Sequence, residues 1–348
     1  MTSPLKVGIV GYGYAAKTFH APLIAAVPGL QLAAISSSDP AKVGVDWPDV
    51  PVVTSPESLF ASDEVELVVI PTPNDTHFPL AAQALAAGKH VVVDKPFTLT
   101  VGEARELIAL AHRYRRLLSV FHNRRWDSDF LTVKQVLDEG VLGRVTHFES
   151  HFDRYRPEVR QRWRETAGPG SGLWYDLGPH LLDQTVQLFG MPQTISLDLA
   201  QQRAGAAADD WFHAVLRYDE RRVVLHGSAL VPAVGPRLIV HGTDGSFVKF
   251  GLDPQEDALK AGLHPGGTDR RQDTKLGRLT LRDGDAIIER TVESIPGNYG
   301  AYYAAIRDAI RLGTPNPVPP EQALHIMQLI ELGVASVQKA HVSTVDTW

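Results

Sequence analysis

The chain has 348 residues, which at roughly 150 residues per domain predicts about two domains. Its 34 Lys and Arg residues against 40 Asp and Glu residues give a formal net charge of −6, which argues against a nucleic-acid-binding protein. The absence of cysteine excludes disulfides, thiolate metal sites, iron–sulfur clusters and a cysteine nucleophile within this chain. The longest apolar runs, such as Val65–Pro71, are far shorter than the ~20 residues that span a bilayer. We therefore expect a soluble, cytoplasmic protein that has no membrane partner.

The first third of the chain alternates short apolar runs with helical patterns. The apolar runs predict buried parallel strands at Lys6–Val10, Gln31–Ser36, Leu67–Pro71, His90–Asp94 and Leu117–Phe121. The intervening patterns predict helices at Ala16–Val27, Pro56–Ala61, Phe78–Ala87 and Val101–Arg115. Thr100 and Glu103 form a capping box before the last of these helices. This order predicts an α/β domain over residues 1–122, with a doubly wound parallel sheet covered by helices on both faces.

After about residue 122 the pattern changes to that of an α+β domain, which we assign to residues 123–348. Alternating runs predict strands at Arg144–Phe152, Thr194–Gln201, Trp211–Tyr218, Arg222–Ser228, Arg237–His241, Ser246–Phe250, Leu276–Leu281 and Ala286–Val292. Helices are predicted at Asp127–Glu139, Leu173–Phe189, Tyr299–Leu312 and Glu321–Ala340. Residues 253–275 have little periodicity and are interpreted as a long surface loop. We expect a large, mostly antiparallel open sheet, with the last helix packing back toward the first domain.

A glycine motif, Gly11-Tyr-Gly13-Tyr14-Ala15-Ala16, directly follows the first predicted strand and begins a helix. The first glycine permits a tight turn, and the second lets a pyrophosphate approach the backbone. Ala16 stands where a third small residue allows close packing of helix and strand, and the helix N-terminus supplies donors to phosphates. The order of strand, motif and helix predicts a Rossmann dinucleotide-binding site at these residues. The alternative is a purely structural glycine turn.

The loop after the second strand bears on the choice between NAD and NADP. An NAD site usually has a carboxylate at this strand end, where it binds the ribose 2′-hydroxyl. Here Ser36, Ser37 and Ser38 occupy that place, Asp39 follows them, and Lys42 lies one helical turn further. Small hydroxyls and a cation suit a 2′-phosphate, so we expect NADP, with NAD possible as a weaker cofactor. An ordinary serine turn is the alternative.

Two further loops follow strands at the same predicted sheet edge. The segment Pro71-Thr72-Pro73-Asn74-Asp75-Thr76-His77 comes after one strand, and we assign Pro71, Thr72, Asn74 and His77 to the cofactor site. The alternative interpretation is that this segment is a rigid turn that caps the next helix. Asp94 and Lys95 end the neighbouring strand, where Lys95 could donate a hydrogen bond to a substrate hydroxyl. The alternative for Lys95 is a solvated strand end.

The segment around residue 178 carries a carboxylate and an imidazole four positions apart. Asp176 and His180 therefore share one face of the predicted helix Leu173–Phe189 and reach the same pocket. His180 is a natural proton acceptor near neutral pH, and Asp176 could orient it or bind the same substrate. One histidine and one aspartate are too few for a metal site, so no metal is expected.

These motifs resemble the Gfo/Idh/MocA oxidoreductases over essentially the whole chain. The resemblance rests on Gly11–Ala16, Pro71–His77, Asp94-Lys95-Pro96 and Asp176–His180. Many members of the family have Glu-Lys-Pro at the position of Asp94-Lys95-Pro96. It implies a Rossmann domain followed by an open-sheet domain, a catalytic set at Lys95, Asp176 and His180, and a homodimer or homotetramer. The segments Phe121–Asp127 and Arg154–Arg164 are similar to the NADP-dependent scyllo-inositol 2-dehydrogenase branch.

The arginine-rich segment Arg154–Arg164 has two interpretations. Its acidic neighbours would allow a solvated, self-neutralising face, but we favour a loop near the mouth of the pocket. There, donors and flat apolar side chains would bind a polyol ring, and we assign this role to Asn123, Arg124, Tyr155, Trp163 and Trp174 together with Asp176 and His180. An anionic sugar would fit the arginines equally. His147 and His151 share a strand face, but no further ligand is evident, and we interpret both as structural.

The sequence therefore predicts a nicotinamide-dependent oxidoreductase that transfers a hydride to or from a small cyclic polyol or sugar. One alternative is a nucleotide-sensing binding protein that lacks turnover. The presence of Lys95, Asp176 and His180 argues against it, since a sensor needs no proton relay. A second alternative is a sugar–sugar oxidoreductase that keeps its cofactor tightly bound.

Overall fold

The first sheet of the protein is parallel and contains six strands. A computed structural model describes residues 3–265 and 272–339. The strands of this sheet are β1 (Leu5–Val10), β2 (Leu30–Ser36), β3 (Val52–Val53), β4 (Leu67–Ile70), β5 (His90–Val93) and β6 (Leu118–Val120). Their order across the sheet is β3-β2-β1-β4-β5-β6, so the chain reverses direction of winding at β1. The predicted doubly wound parallel sheet is confirmed; only β3, which is too short to show periodicity, was not predicted.

The helices of this part lie between consecutive strands, as a βαβ pattern requires. They are α1 (Ala21–Ala26), α2 (Pro40–Asp46), α3 (Pro56–Ala61), α4 (His77–Ala86) and α5 (Val101–Tyr114). The helix predicted from Ala16 begins instead as a π-helical turn, Ala16–His20, and continues into α1. Both halves of the capping box at α5 are formed, since Glu103 N donates to Thr100 Oγ1 and Thr100 N donates to Glu103.

The second sheet has eight strands and is antiparallel except at one pair. Its strands are β7 (Val145–Asp153), β8 (Thr194–Ala200), β9 (Trp211–Arg217), β10 (Arg222–Ser228), β11 (Pro236–Gly242), β12 (Gly245–Phe250), β13 (Gly277–Asp283) and β14 (Ala286–Val292). They are ordered β14-β13-β12-β11-β7-β10-β9-β8, with only β7 and β10 parallel. The predicted large, mostly antiparallel sheet is confirmed.

Five further helices, α6 to α10, follow the parallel sheet in the described part of the chain. They are α6 (Ser128–Asp138), α7 (Gly172–Phe189), α8 (Gln255–Lys260), α9 (Gly300–Leu312) and α10 (Pro320–Lys339). The prediction that residues 253–275 form a surface loop is wrong for residues 255–260, which form helix α8. Residues 266–271 of this segment lie outside the described part of the chain. Ala340, the predicted end of the last helix, also lies outside it. Among the described residues, no helix combines the length and apolar character that a membrane span needs.

A hydrophobic core lies between helix α7 and one face of the antiparallel sheet. Strand β9 shows the alternation that produces this arrangement, since Phe212, Ala214 and Leu216 are fully buried while the residues between them are only partly covered. Helix α10 packs against α7 and also against α5 of the first sheet, where the backbone N–H of Val101 donates to Glu331 at 2.7 Å. This contact ties the C-terminal helix to both parts of the fold.

On the other face of the antiparallel sheet, the alternate residues of the central strands β7, β9 and β10 are half-buried or exposed. Strands β7, β9 and β10 present histidine and carboxylate side chains in the centre of this face, namely His147, Glu149, His151, Asp153, His213 and His226. Trp211, Val215 and Val224 are half-buried on the same face, so it is mixed in character, and the oligomeric state stays a prediction.

Candidate active site

A cavity of about 600 Å³ lies between the carboxyl edge of the parallel sheet and helix α7. Open α/β sheets bind ligands at this edge, beside the strand where the winding reverses. Residues from both parts of the chain line the cavity, and those assigned to the site from the sequence are Tyr14, Ala15, Asp94, Lys95, Asn123, Arg124, Asp176 and His180. The fold thus brings eight of the predicted site residues together in one cavity, including all three assigned to catalysis.

The glycine turn after β1 is shaped to accept a phosphate group. Gly11 has a φ of +82°, a backbone conformation that favours glycine, and a Cβ built there would lie 3.3 Å from Thr72 Cγ2. Nothing lies within 4 Å of a Cβ built on Gly13, so the space in front of this residue is open. Ala16 is fully buried where helix and strand meet. These observations fit the pyrophosphate of a dinucleotide.

Lys95 lies just beyond β5 and forms a buried ion pair across the cavity. Its Nζ donates to Oδ1 of Asp176 at 3.0 Å and to the backbone carbonyl of the same residue at 2.6 Å. Burial lowers the pKa of the Lys95 ammonium, and the Arg164 charge adds to this, whereas Asp176 opposes the shift. Burial would raise the pKa of Asp176, but Lys95, Arg164 and Arg154 hold it well below its usual range. The two residues come from segments 81 positions apart.

Asp94 holds the backbone from which Lys95 projects. Its Oδ1 accepts a hydrogen bond from the Lys95 backbone N–H at 2.8 Å, and Oδ2 lies 3.7 Å from Nε2 of the buried His20. Burial would raise the pKa of Asp94, but the interactions with His20 and Lys95 lower it to about 2. The carboxylate of Asp94 is therefore held in place by the Lys95 backbone and His20, which explains why a polar side chain lies at this strand end.

His180 lines the same cavity and is neutral near pH 7. Burial lowers its pKa well below that of an ordinary histidine, and the Lys95 and Arg124 charges lower it further. The Nδ1 atom is buried and has no hydrogen-bond partner among the described residues. Contrary to one expectation from the sequence, Asp176 does not hydrogen-bond to His180, because its carboxylate is taken by Lys95 and by arginines. Because the imidazole is neutral, it has a free lone pair that can accept a proton.

The arginine-rich segment predicted to lie near the pocket mouth contributes to the wall of the cavity. Arg154, Arg156, Arg160, Arg162 and Arg164 all line it. With the other lining residues they give eight basic and three acidic side chains around the cavity, in a chain whose net charge is −6. Within the described residues, no carboxylate lies within ion-pairing distance of the Arg156 or Arg160 guanidinium.

Helix α8 covers one side of the cavity through Glu256, which the sequence did not reveal. Glu256 accepts from Arg124 Nη2 at 2.6 Å and from the Tyr14 hydroxyl at 3.2 Å, and it pairs with Lys260 at 2.8 Å. Burial would raise the pKa of Glu256, but Arg124 and Lys260 lower it to about 2. A segment 132 residues after Arg124 thereby closes over the glycine motif, and no local pattern in the sequence signals this contact.

The loop after β2 has its acidic residue turned away from the strand end. Asp39 caps helix α2, accepting a hydrogen bond from the Lys42 backbone N–H at 3.1 Å. Ser37 is buried, and its hydroxyl forms hydrogen bonds with the backbone N–H and carbonyl of Asp39. Ser38 and Lys42 are exposed. Ser36 is buried, and its carbonyl accepts from the Gly11 N–H at 2.8 Å.

The loop Pro71–His77 serves partly to join segments of the protein. His77 is fully buried, and its two ring nitrogens lie 2.8 Å from the Pro96 carbonyl and 2.9 Å from the Thr72 carbonyl. The prediction of a direct cofactor contact for His77 is therefore wrong; it supports the two loops from behind. The amide of Asn74 donates to the Gly170 carbonyl at 3.0 Å and so links this loop to the segment before α7. Thr72 contacts the glycine turn, and Pro71 ends the adjoining strand.

Three aromatic residues assigned to substrate binding do not line the cavity. Trp174 is completely buried, packs against Phe212, and its indole N–H donates to the Ile330 carbonyl at 3.3 Å. Its assignment was wrong because helix α7 turns this side chain toward the antiparallel sheet. Tyr155 is 59% exposed and pairs with Leu230 in an isolated β-bridge. Trp163 stacks beneath the Arg164 guanidinium outside the cavity wall.

Comparisons with known proteins agree with this architecture. Residues 5–122 match the family model described as "Oxidoreductase family, NAD-binding Rossmann fold", and residues 134–346 match the "Oxidoreductase family, C-terminal alpha/beta domain" model. Fold, glycine turn and matches together define a NAD-binding oxidoreductase. The chain belongs to the Gfo/Idh/MocA oxidoreductase family.

Individual relatives cover nearly the whole chain. It is 60% identical to the "Uncharacterized oxidoreductase YdgJ" of Escherichia coli over 97% of this chain and 98% of that protein. It is 41% identical to the "scyllo-inositol 2-dehydrogenase (NADP(+)) IolW" of Bacillus subtilis over 95% of this chain and 93% of that protein. A solved structure of the oxidoreductase YPO2259 from Yersinia pestis superposes with a TM-score of 0.94 at 59% identity, covering 97% and 96% of the two chains. The predicted resemblance to the scyllo-inositol 2-dehydrogenase branch is confirmed.

Proposed function

We propose that the protein is an NADP-dependent oxidoreductase acting on a CH–OH group of a cyclic polyol or sugar. The observation that carries this proposal is the combination, in one cavity, of the cationic Lys95 and the neutral His180 beside an open glycine turn. The relative named as an NADP-dependent scyllo-inositol 2-dehydrogenase supports an inositol or inosose as the kind of substrate to test first.

The side chains of the cavity divide the proton chemistry between them. When bound, the nicotinamide supplies the acceptor or donor of a hydride at a substrate carbon. In the oxidation direction, the C–H bond of the carbinol gives up a hydride, and His180 accepts the hydroxyl proton as the C=O bond forms. Lys95 donates a hydrogen bond to that oxygen and stabilises its developing negative charge. Asp176 holds the ammonium by two hydrogen bonds, which makes it a positioning residue. Reduction of a ketone uses the same groups in reverse.

The cofactor would be held by the glycine turn and the loops beside it. Gly11 and Gly13 leave room for the pyrophosphate, and Tyr14 and Ala15 line the adjacent cavity. Ser36, Ser37, Ser38 and Lys42 are proposed to surround the 2′-phosphate of NADP. The carboxylate of Asp39 is engaged at the N-terminus of α2, so its repulsion of a phosphate is reduced. The Lys42 side chain is exposed and forms no ion pair with a described residue, which supports its role as phosphate partner.

A sugar acid is a second candidate substrate, and the arginines favour it. Burial lowers the pKa of Arg154 to about 10, and the neighbouring Arg156 and Arg124 charges contribute to that shift. Such mutual repulsion among cations is relieved by an anion, and planar guanidinium groups bind carboxylates in bidentate geometry. A carboxylate on the substrate would therefore be bound more tightly than a neutral hydroxyl at the same place.

The experiment that tests both candidates is a panel of inositols, neutral sugars and sugar acids, each offered with NAD⁺ and with NADP⁺. Formation of reduced nicotinamide is followed by its absorbance, and kcat/KM values rank the pairs. Turnover of a neutral polyol with NADP⁺ is the expected result. Higher efficiency with sugar acids would select the second candidate, and the absence of turnover with every alcohol and with the matching ketones and NADPH would refute an oxidoreductase acting on CH–OH groups.

Two alternatives from the sequence are separated by simple measurements. A nucleotide-sensing protein would bind NADPH and show no turnover, whereas a sugar–sugar oxidoreductase would retain its cofactor through dialysis. The division into residues 1–122 and 123–348, a dimeric or tetrameric assembly and a cytoplasmic location also stay predictions. Size-exclusion chromatography with light scattering measures the assembly.

A further inference from the structure

Three histidines form a row across the open face of the antiparallel sheet, away from helix α7. In the register of the strands, His226 of β10 lies directly opposite His213 of β9 on one side and His151 of β7 on the other. Asp153 follows two residues after His151 on the same face of β7. Neighbouring strands are about 4.8 Å apart, so these side chains stand close together. One ligand atom each from His151, Asp153 and His226 lies within 4.8 Å of the others.

The distances within this group are longer than hydrogen bonds. His226 Nε2 lies 3.5 Å from Asp153 Oδ1, and His151 Nδ1 lies 3.9 Å from Asp153 Oδ2. Hydrogen bonds between such atoms would be about 2.7–3.2 Å long. Two ligands of one tetrahedral ion, each about 2.0–2.1 Å from it, would stand roughly 3.3 Å apart. The spacing is therefore closer to that of ligands around an ion than to direct pairing.

The neighbouring Glu149 orients His151 for such a role. Glu149 Oε2 lies 2.7 Å from Nε2 of His151, so that nitrogen is the one that carries the proton when the imidazole is neutral. The lone pair is then on Nδ1, which faces Asp153. A carboxylate that fixes the far nitrogen of a histidine is the usual support of a metal-binding imidazole. In addition, Asp153 Oδ1 is buried and accepts no hydrogen bond from a described residue.

We propose that His151, Asp153 and His226 bind one divalent transition-metal ion of the zinc type on the open sheet face. Two imidazoles and one carboxylate suit zinc and its analogues cobalt and nickel, whereas calcium and magnesium prefer oxygen ligands throughout. Three protein ligands leave one position of a tetrahedral ion for water. The ion would join β7 to β10 at their parallel pairing, outside the cavity that contains Lys95 and His180. His226 lies 75 positions after His151 in the sequence, so no local pattern places these two ligands together.

The test uses untagged, chelator-treated full-length protein titrated with Zn²⁺ by calorimetry and with Co²⁺ by visible absorption. We expect one Zn²⁺ per chain, and an intense Co²⁺ spectrum typical of four-coordination. Asp153→Asn, which keeps the shape of the side chain, and His226→Ala should each weaken binding by at least about tenfold, as loss of one ligand from a small site requires. Glu149→Gln should weaken it by roughly 10–100-fold through His151 alone.

A matched control is available on the same sheet face. His241 stacks on His147 with ring centroids 5.8 Å apart, and neither belongs to the group that contains Asp153. His241→Ala should bind Zn²⁺ as the unaltered protein does. The proposal is overturned if the unaltered protein binds no stoichiometric Zn²⁺, or if the Asp153→Asn and His226→Ala proteins, shown by circular dichroism to be folded, bind as tightly as the control. This outcome is independent of the proposed oxidoreductase activity.

Discussion

Replacement of Lys95 by alanine tests the catalytic role of the cavity most directly. Two unit charges 3 Å apart interact by about 5.5 kcal/mol at an effective dielectric constant of ~20. Asp176 already shares the ammonium, and the substrate oxygen carries only part of a negative charge in the transition state, so we take about half of that value. A loss of ~2.7 kcal/mol corresponds to roughly a 100-fold lower kcat, because each ~1.36 kcal/mol is a factor of ten.

The assay for this variant separates catalysis from binding and folding. Steady-state kinetics with saturating NADP⁺ measures kcat, and quenching of protein fluorescence measures the dissociation constant of NADPH, which we expect to change by less than about threefold. Asp176 keeps Arg164 at 3.6 Å and Arg154 at 3.8 Å, so the variant should fold. Lys89→Ala is the matched control, since Lys89 is a nearly buried lysine at the opposite end of the same strand. A Lys95→Ala protein with the kcat of the control would refute the reasoning.

The other predictions concern the base, the cofactor loop and the core. Burial, Lys95 and Arg124 lower the pKa of His180, so the rate of oxidation by the unaltered enzyme should fall only below the pH range in which an ordinary histidine becomes protonated. The His180→Asn variant should not show this fall in rate at low pH. An unchanged pH–rate profile in the variant would assign the base to another group. The protein should prefer NADP over NAD by roughly 10–100-fold in kcat/KM, and Ser37→Asp should narrow or invert that preference. A Ser37→Asp variant that still prefers NADP to the same degree would show that this loop does not determine cofactor specificity. Trp174→Ala should lower the free energy of unfolding by about 3–5 kcal/mol in urea denaturation, and a loss below about 1 kcal/mol would contradict its place in the core.

The parallel sheet and its glycine turn were predictable because their signals are local. Strands buried on both faces need continuous apolar runs, as at Val91–Val93, and a turn with positive φ needs glycine, as at Gly11. Period-two alternation likewise predicted the second sheet, since one face of it packs on helix α7. Asp176 and His180 could be placed together because residues four apart share a helix face.

The contacts between distant segments required the tertiary structure. Asp176 is paired with Lys95 rather than with His180, and Glu256 of a segment predicted to be a loop closes the cavity, because packing brings those segments to the sheet edge. Trp174 lies on the same helix as Asp176 and His180, and the sequence alone does not show which way its side chain points. The orientation of the helix against the antiparallel sheet places Trp174 in the core rather than in the cavity. Hydrophobic periodicity specifies which face of an element is buried, whereas the identity of the neighbour across that face depends on where the rest of the chain packs.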